Sequence, residues 1–139
     1  MSIAARGAAY ADIDNDGRLD ILLTTNAGPA YLFRNAVGTS HNAIRIRIVG
    51  TRSNRDGIGA VVKVQAANSS GWQMVRSGSS YCSQSELILT FGLGKASQAD
   101  SVEITWPSGQ RDTLHNLKAN ANYAIEEGGN ILGSRPLKK

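Results

Sequence analysis

The strict alternation of Ile44, Ile46 and Ile48 with Arg45 and Arg47 constrains the fold more than any other feature of the chain. Successive side chains of a strand point to opposite faces, so this period describes a half-buried strand and cannot make the apolar stripe of a helix. The same period returns at 60–66, where Val62 and Val64 alternate with Val61, Lys63 and Gln65. It returns again at 99–106, where Val102, Ile104 and Trp106 oppose Ser101, Glu103 and Thr105. Further strand-like runs lie at 19–24, 30–35, 72–77, 87–91, 111–114 and 123–127. Turn chemistry separates them: Asn26 to Pro29 joins a first hairpin, Asn68 to Gly71 a second, and Pro107 to Gln110 a third. About nine strands without a helical pattern predict an all-β chain, an antiparallel β-sandwich or open barrel with an N-terminal β-hairpin.

The acidic residues converge at one place, Asp12-Ile13-Asp14-Asn15-Asp16-Gly17-Arg18-Leu19-Asp20. Four carboxylates this close repel one another unless a cation lies among them, and Gly17 permits the sharp turn that wraps them. Calcium suits such a set, because it accepts flexible all-oxygen coordination where magnesium keeps more of its water. The expected ligands are the side chains of Asp12, Asp14, Asp16 and Asp20 and the backbone carbonyl of Arg18. An EF-hand is excluded: the position of its bidentate glutamate is Leu23, and a strand-like run follows instead of a helix. The competing reading is a solvated acidic turn that caps itself and holds no ion.

With 139 residues the chain has the length of one ordinary domain, and its single cysteine, Cys82, precludes an internal disulfide. No Cys/His cluster offers a zinc site. No apolar stretch approaches the roughly 18 residues of a membrane span, and the start carries no signal-peptide core. The net charge of +4 is uneven. Three arginines face four aspartates in residues 1–40, whereas residues 41–139 hold twelve basic and seven acidic side chains. Arg45, Arg47, Arg52 and Arg55 form the densest positive group, suited to phosphate or an anionic polysaccharide. Their alternation with isoleucines reads as the solvated face of a strand. Aromatic residues for base stacking are missing between them, so nucleic acid is not an expected partner.

Four ordered blocks carry a resemblance: Arg47 to Ala60 (R-I-V-G-T-R-S-N-R-D-G-I-G-A), Ser77 to Ser85 (S-G-S-S-Y-C-S-Q-S), Phe91-Gly92-Leu93-Gly94 and Trp106-Pro107-Ser108-Gly109. Together they resemble the ASPIC/UnbV domain over roughly residues 41–127. The preceding part, Asp12 to Asp20 and on to Leu32-Phe33-Arg34-Asn35, resembles a calcium-binding FG-GAP (VCBS-type) repeat. The resemblance implies three parts: a partial repeat with a calcium loop at 1–40, a β domain at 41–127 and a tail at 128–139. It further implies an extracellular or periplasmic, non-enzymatic module for calcium-dependent binding or cell adhesion, with a protein or glycan partner left open. One repeat cannot close a propeller. Its strand edges must pack on the following domain or pair between chains, which makes a homodimer possible.

A catalytic reading needs Ser77, Ser79, Ser80, Ser83 or Ser85 as nucleophile, His41 or His115 as base, and Asp56 or Asp112 to orient it. Nothing in the spacing joins them, and no G-x-S-x-G elbow is present. Two polar loops remain as candidate binding surfaces, one with Ser53, Asn54, Arg55 and Asp56, the other with Ser77, Ser79, Ser80 and Gln84. The bland reading is that these side chains tie down loop backbone. The runner-up function is a structural interaction domain, with an empty acidic loop, that assembles chains through strand edges.

Overall fold

Eleven strands in three sheets account for the regular structure of the computed structural model, which describes residues 4–37, 40–67 and 69–138. In chain order these are β1 (Ala5–Ala11), β2 (Asp20–Thr25), β3 (Tyr31–Phe33), β4 (Asn42–Val49), β5 (Val61–Ala66) and β6 (Ser69–Met74). Then follow β7 (Leu89–Gly94), β8 (Gln98–Thr105), β9 (Arg111–Lys118), β10 (Ala121–Glu126) and β11 (Asn130–Pro136). Met1 to Ile3, Gly38 and Thr39 of the expected linker, Asn68 of the second turn and Lys139 lie outside the described residues.

Two four-stranded sheets, ordered β11-β10-β4-β7 and β6-β5-β8-β9, enclose one core. The alternating residues meet in it as their period requires. Ile44, Ile46, Ile48, Phe91 and Ile125 come from one sheet, and Val62, Val64, Val102, Ile104 and Leu114 from the other. Ile44, Ile46, Val62, Val102 and Ile125 are inaccessible to solvent. Burial of that kind supplies about 1.5–3 kcal/mol per large side chain. All pairings in these sheets are antiparallel except β4 with β10, which run parallel in the register Ile44↔Ala121 to Val49↔Glu126. A third, three-stranded sheet, β1-β2-β3, stands N-terminal to the sandwich.

Four local expectations change. The chain forms a strand, β1, before the acidic loop, where small residues gave no alternating signal. The second hairpin turns earlier than Asn68 to Gly71, because Ser69 to Gly71 already pair with Val64 to Ala66. The run expected at 87–91 is displaced to β7 and continues through Gly94, paired with β4. Residues 130–136, expected within a tail, are β11, a fourth strand on β10. They escaped notice because every residue of β11 is exposed, so no buried face imposes a period.

One buried carboxylate organises the end of the sandwich. Glu127, just after β10, accepts hydrogen bonds at Oε2 from the amides of Thr51 (2.9 Å), Arg52 (2.7 Å) and Ser53 (2.7 Å). At Oε1 it accepts from the hydroxyls of Ser53 (2.9 Å) and Ser108. The loop after β4 and the turn between β8 and β9 are thereby tied to one side chain. Gly57 closes the same loop at φ 65°, and a Cβ there would lie 2.6 Å from Ile48 Cδ1. Burial works to raise the Glu127 pKa, but donation from Ser108, Ser53, Thr51 and Arg52 outweighs it and holds the value at about 2 instead of 4.5. A depressed carboxyl pKa contributes stability that is complete above about pH 4.5 and is lost as pH falls through about 2. Thermal melts of the wild type and Glu127→Gln should therefore differ at neutral pH and converge on approaching pH 2. Parallel curves across that range would contradict the assignment.

Candidate metal centre

The acidic loop between β1 and β2 is built from the backbone upward. Asn15 and Gly17 both take positive φ, 61° and 86°, which turns the chain so that Asp12 faces its own loop. Asp12 Oδ1 accepts from the Asp16 amide at 2.9 Å and Oδ2 from the Gly17 amide at 2.8 Å. Asp20 spans outward, Oδ2 accepting from the Ile13 amide (3.1 Å) and Oδ1 from the Asn35 amide (2.8 Å). Residues distant in sequence press on this loop. A Cβ at position 17 would lie 2.8 Å from Leu137 Cδ1, and the Lys138 amide donates to the Asn15 carbonyl at 2.7 Å. The chain beyond β11 is therefore part of the loop's support.

Three of the expected side chains come together. Asp12, Asp14 and Asp20 each present a carboxylate oxygen, and these atoms lie within 4.8 Å of one another. Calcium–oxygen distances of about 2.3–2.6 Å put ligands on opposite sides of the ion at most about 5 Å apart, so this spacing accommodates calcium. Asp14 Oδ1 is buried and makes no hydrogen bond, a costly state for a carboxylate oxygen that a cation would relieve. Asp16, also expected as a ligand, is engaged with Arg18. Its Oδ1 accepts from the Arg18 amide at 2.8 Å and its Oδ2 pairs with the Arg18 guanidinium. Arg18 thus enters through its side chain, whose Nε also donates to the Asn35 carbonyl at 2.8 Å. Arg34 reaches Asp14 Oδ2 at 2.7 Å and Asp16 Oδ2 at 3.9 Å.

Arg45 corrects the reading of β4. The alternation placed it on a solvated face, yet its side chain is only 3% exposed. It lies 3.3 Å from Asp12 Oδ2, pairs with Glu86, and donates to Thr90 Oγ1 (3.2 Å) and Asn15 Oδ1 (3.4 Å). Glu86 in turn accepts from the Asp12 amide at 3.2 Å. No sequence signal joined Glu86 and Arg45 to the acidic loop, since they stand 74 and 33 positions beyond Asp12. Four carboxylates, Asp12, Asp14, Asp16 and Glu86, share three guanidiniums, Arg18, Arg34 and Arg45, and Asp20 stands beside them without one, five acidic groups against three basic ones. The excess of two negative charges equals the charge of one divalent cation.

The other candidates disperse. Ser83 and Ser85 accept from the β1 amides of Ala8 (2.9 Å) and Tyr10 (3.2 Å), and the Glu86 amide donates to the Tyr10 carbonyl at 3.1 Å. The 77–86 segment is thus an irregular edge laid along β1. Within it the Ser79 hydroxyl donates to the Ser83 carbonyl (3.5 Å), Gln84 donates to the Ser85 carbonyl (2.6 Å) and accepts from the Gly78 amide at 2.5 Å. Ser77, Ser80, Tyr81 and Cys82 are exposed. In the other loop Ser53 serves Glu127, and Asn54 closes on Ile58 through both its amide atoms (2.8 and 2.9 Å), while Arg55 and Asp56 are exposed. Among the described residues no hydrogen bond joins His41 or His115 to a serine, Asp56 or Asp112. His115 Nδ1 lies 3.3 Å from the Asp100 carbonyl oxygen, and Asp112 accepts from the Trp106 indole at 2.7 Å.

Residues 50–131 match the family described as ASPIC and UnbV. The chain belongs to that family. It is 32% identical over 124 residues to cartilage acidic protein 1 of Homo sapiens, 35% to that of Mus musculus and 34% to that of Xenopus tropicalis. Each alignment covers 86% of this chain, so the similarity reaches before residue 50 into the N-terminal sheet. It covers 18–19% of each relative, so the chain spans about a fifth of their length. Within this ASPIC and UnbV chain, the loop tied to Glu127 and Glu127 itself fall inside the family match, whereas Asp12 to Asp20 precede it.

Three variants test these contacts. Arg45→Met leaves Asp12 and Glu86 without their shared cation and should destabilise the chain by about 3–5 kcal/mol in urea unfolding; a change within about 0.5 kcal/mol would contradict the role assigned to the pair. Asn54→Ala should cost about 1 kcal/mol through its two lost hydrogen bonds. Arg55→Ala should leave the melting temperature unchanged.

Proposed function

We propose that this chain is a non-enzymatic, extracellular-type binding and adhesion module whose N-terminal unit, a partial FG-GAP (VCBS-type) repeat, is stabilised by calcium. The observation that carries the calcium reading is Asp14 Oδ1, buried without a partner beside carboxylate oxygens of Asp12 and Asp20. Asp12, Asp14 and Asp20 hold the ion, and Asp16 and the Arg18 carbonyl border it. The ion supplies charge neutralisation, not chemistry. Its place near Arg45 and Leu137 means that binding would brace the N-terminal sheet against the sandwich. An extracellular location agrees with the similarity to the relatives named cartilage acidic protein 1.

A second reading has an observation of its own. Arg18, Arg34 and Arg45 already pair with the acidic residues, so the loop can be a structural junction without metal, in a domain that assembles chains. Calorimetric titration of chelator-treated protein separates the two. Calcium should bind with about 1:1 stoichiometry and raise the melting temperature, by about 2.7 kcal/mol of stability at a hundredfold excess over Kd. Asp14→Asn should weaken or abolish both effects. Absence of binding at millimolar calcium, with an unchanged melt, would favour the junction reading.

A further inference from the structure

The outer face of the β11-β10-β4-β7 sheet is covered at one end and open at the other. Cross-strand register sets out two rows on it: Thr90, Arg45, Asn122 and Arg135, then Arg47, Ala124 and Gly133. The acidic loop closes over Arg45. Beyond it lies a cavity of about 430 Å³ lined by Arg47, Ile88, Asn122, Ala124, Ser134 and Arg135, together with Leu132 and Gly133. That volume is in the range of small-ligand clefts.

Two features give the cavity a chemistry. Arg47 and Arg135 flank it from either side of β10, both exposed, and neither makes an ion pair among the described residues. Several other arginines are also without an ion pair, but these two stand across one groove and present uncommitted forks suited to a carboxylate or sulfate. The floor offers no main-chain recognition. β10 is hydrogen-bonded on one side to β4 and on the other to β11, so an extended peptide would find a free strand edge only at the outer side of β11, away from the floor. A ligand seated on this face is read by side chains: charge at the two arginines, hydrogen bonding at Asn122, and apolar contact at Ile88 and Leu132.

We propose that this groove binds an anionic sugar unit, a uronate or a sulfated hexose, with Arg47 and Arg135 holding its acidic group over Ala124. Asn122 takes its hydroxyls, and Ile88 and Leu132 meet its C–H face. The assignment rests on the reading of the chain as a binding module and not on calcium, because no residue of the acidic loop lines the groove.

The test is calorimetry with three tetrasaccharides: an unsulfated uronate-containing one, a sulfated one and neutral maltotetraose, each in calcium and in chelator. Either anionic sugar should bind with a Kd near or below about 1 mM, and the neutral one should not. Their relative affinities distinguish carboxylate from sulfate as the group held. Arg47→Ala/Arg135→Ala should weaken binding at least about tenfold, corresponding to loss of charge-assisted contacts. Gly133→Phe provides a control that keeps the charge. A Cβ at this position would meet nothing within 4 Å, so the ring should fill the groove and abolish binding while the melting temperature stays unchanged. The assignment is overturned by failure of both anionic sugars to bind, by binding that both variants leave intact, or by equal or tighter binding of hexaglutamate at the same residues. Binding in chelator equal to that in calcium separates this groove from the metal centre.

Discussion

The buried guanidinium of Arg45 is the interaction on which the arrangement of the two parts depends. It leaves the central strand β4 on the face opposite the isoleucine core and contacts Asp12, Asn15, Glu86 and Thr90. A buried charge is tolerated only when its partners are fixed around it. Here the partners come from the acidic loop, the segment before β7 and β7 itself. The acidic loop, β4 and the 86–90 stretch, far apart in sequence, are thus held at one point, and the N-terminal sheet cannot shift without exposing or stranding a charge.

Glu127 does the corresponding work at the other end of the sandwich with opposite sign. It meets backbone amides and hydroxyls in place of a guanidinium, so hydrogen-bond donation alone keeps it ionised. The two long polar loops are ordered by different means. The 50–59 loop is gathered around Glu127 and closed by Asn54, whereas the 77–86 segment is laid along β1 by Ser83 and Ser85. That second set of bonds covers one edge of the N-terminal sheet with the chain's own backbone and side chains. Edge protection of this kind reduces the tendency of a small sheet to pair with another copy.

Charge is partitioned accordingly. The acidic excess lies where the N-terminal loop meets the sandwich. Arg47 and Arg135, without an ion pair among the described residues, lie on the adjoining open face. β4 borders both regions through Arg45 and Arg47, two residues apart on the same side of one sheet. The conformation of the loop and the composition of the groove are compatible with independent operation.

The sequence by itself determined the all-β class, the sandwich core and the convergence of aspartates. Those follow from local patterns: a two-residue period fixes which side chains share a face, and D-x-D-x-D-G brings its carboxylates together within a single turn. Most turns were legible for the same reason, as in Pro107 to Gln110. The structure alone decided that Asp16 turns to Arg18, that Arg45 is buried, and that Glu86, Leu137 and Glu127 serve distant loops. It also decided β1 and β11, whose residues are too small or too exposed to carry a period. Arg45, Glu86, Leu137 and Glu127 act on segments that become neighbours across 30 to 120 positions, while the choice of Asp16 between a ligand role and its pair with Arg18 is one that spacing does not make. An alternating strand states that one face is buried in the core; it does not state what will later cover the other.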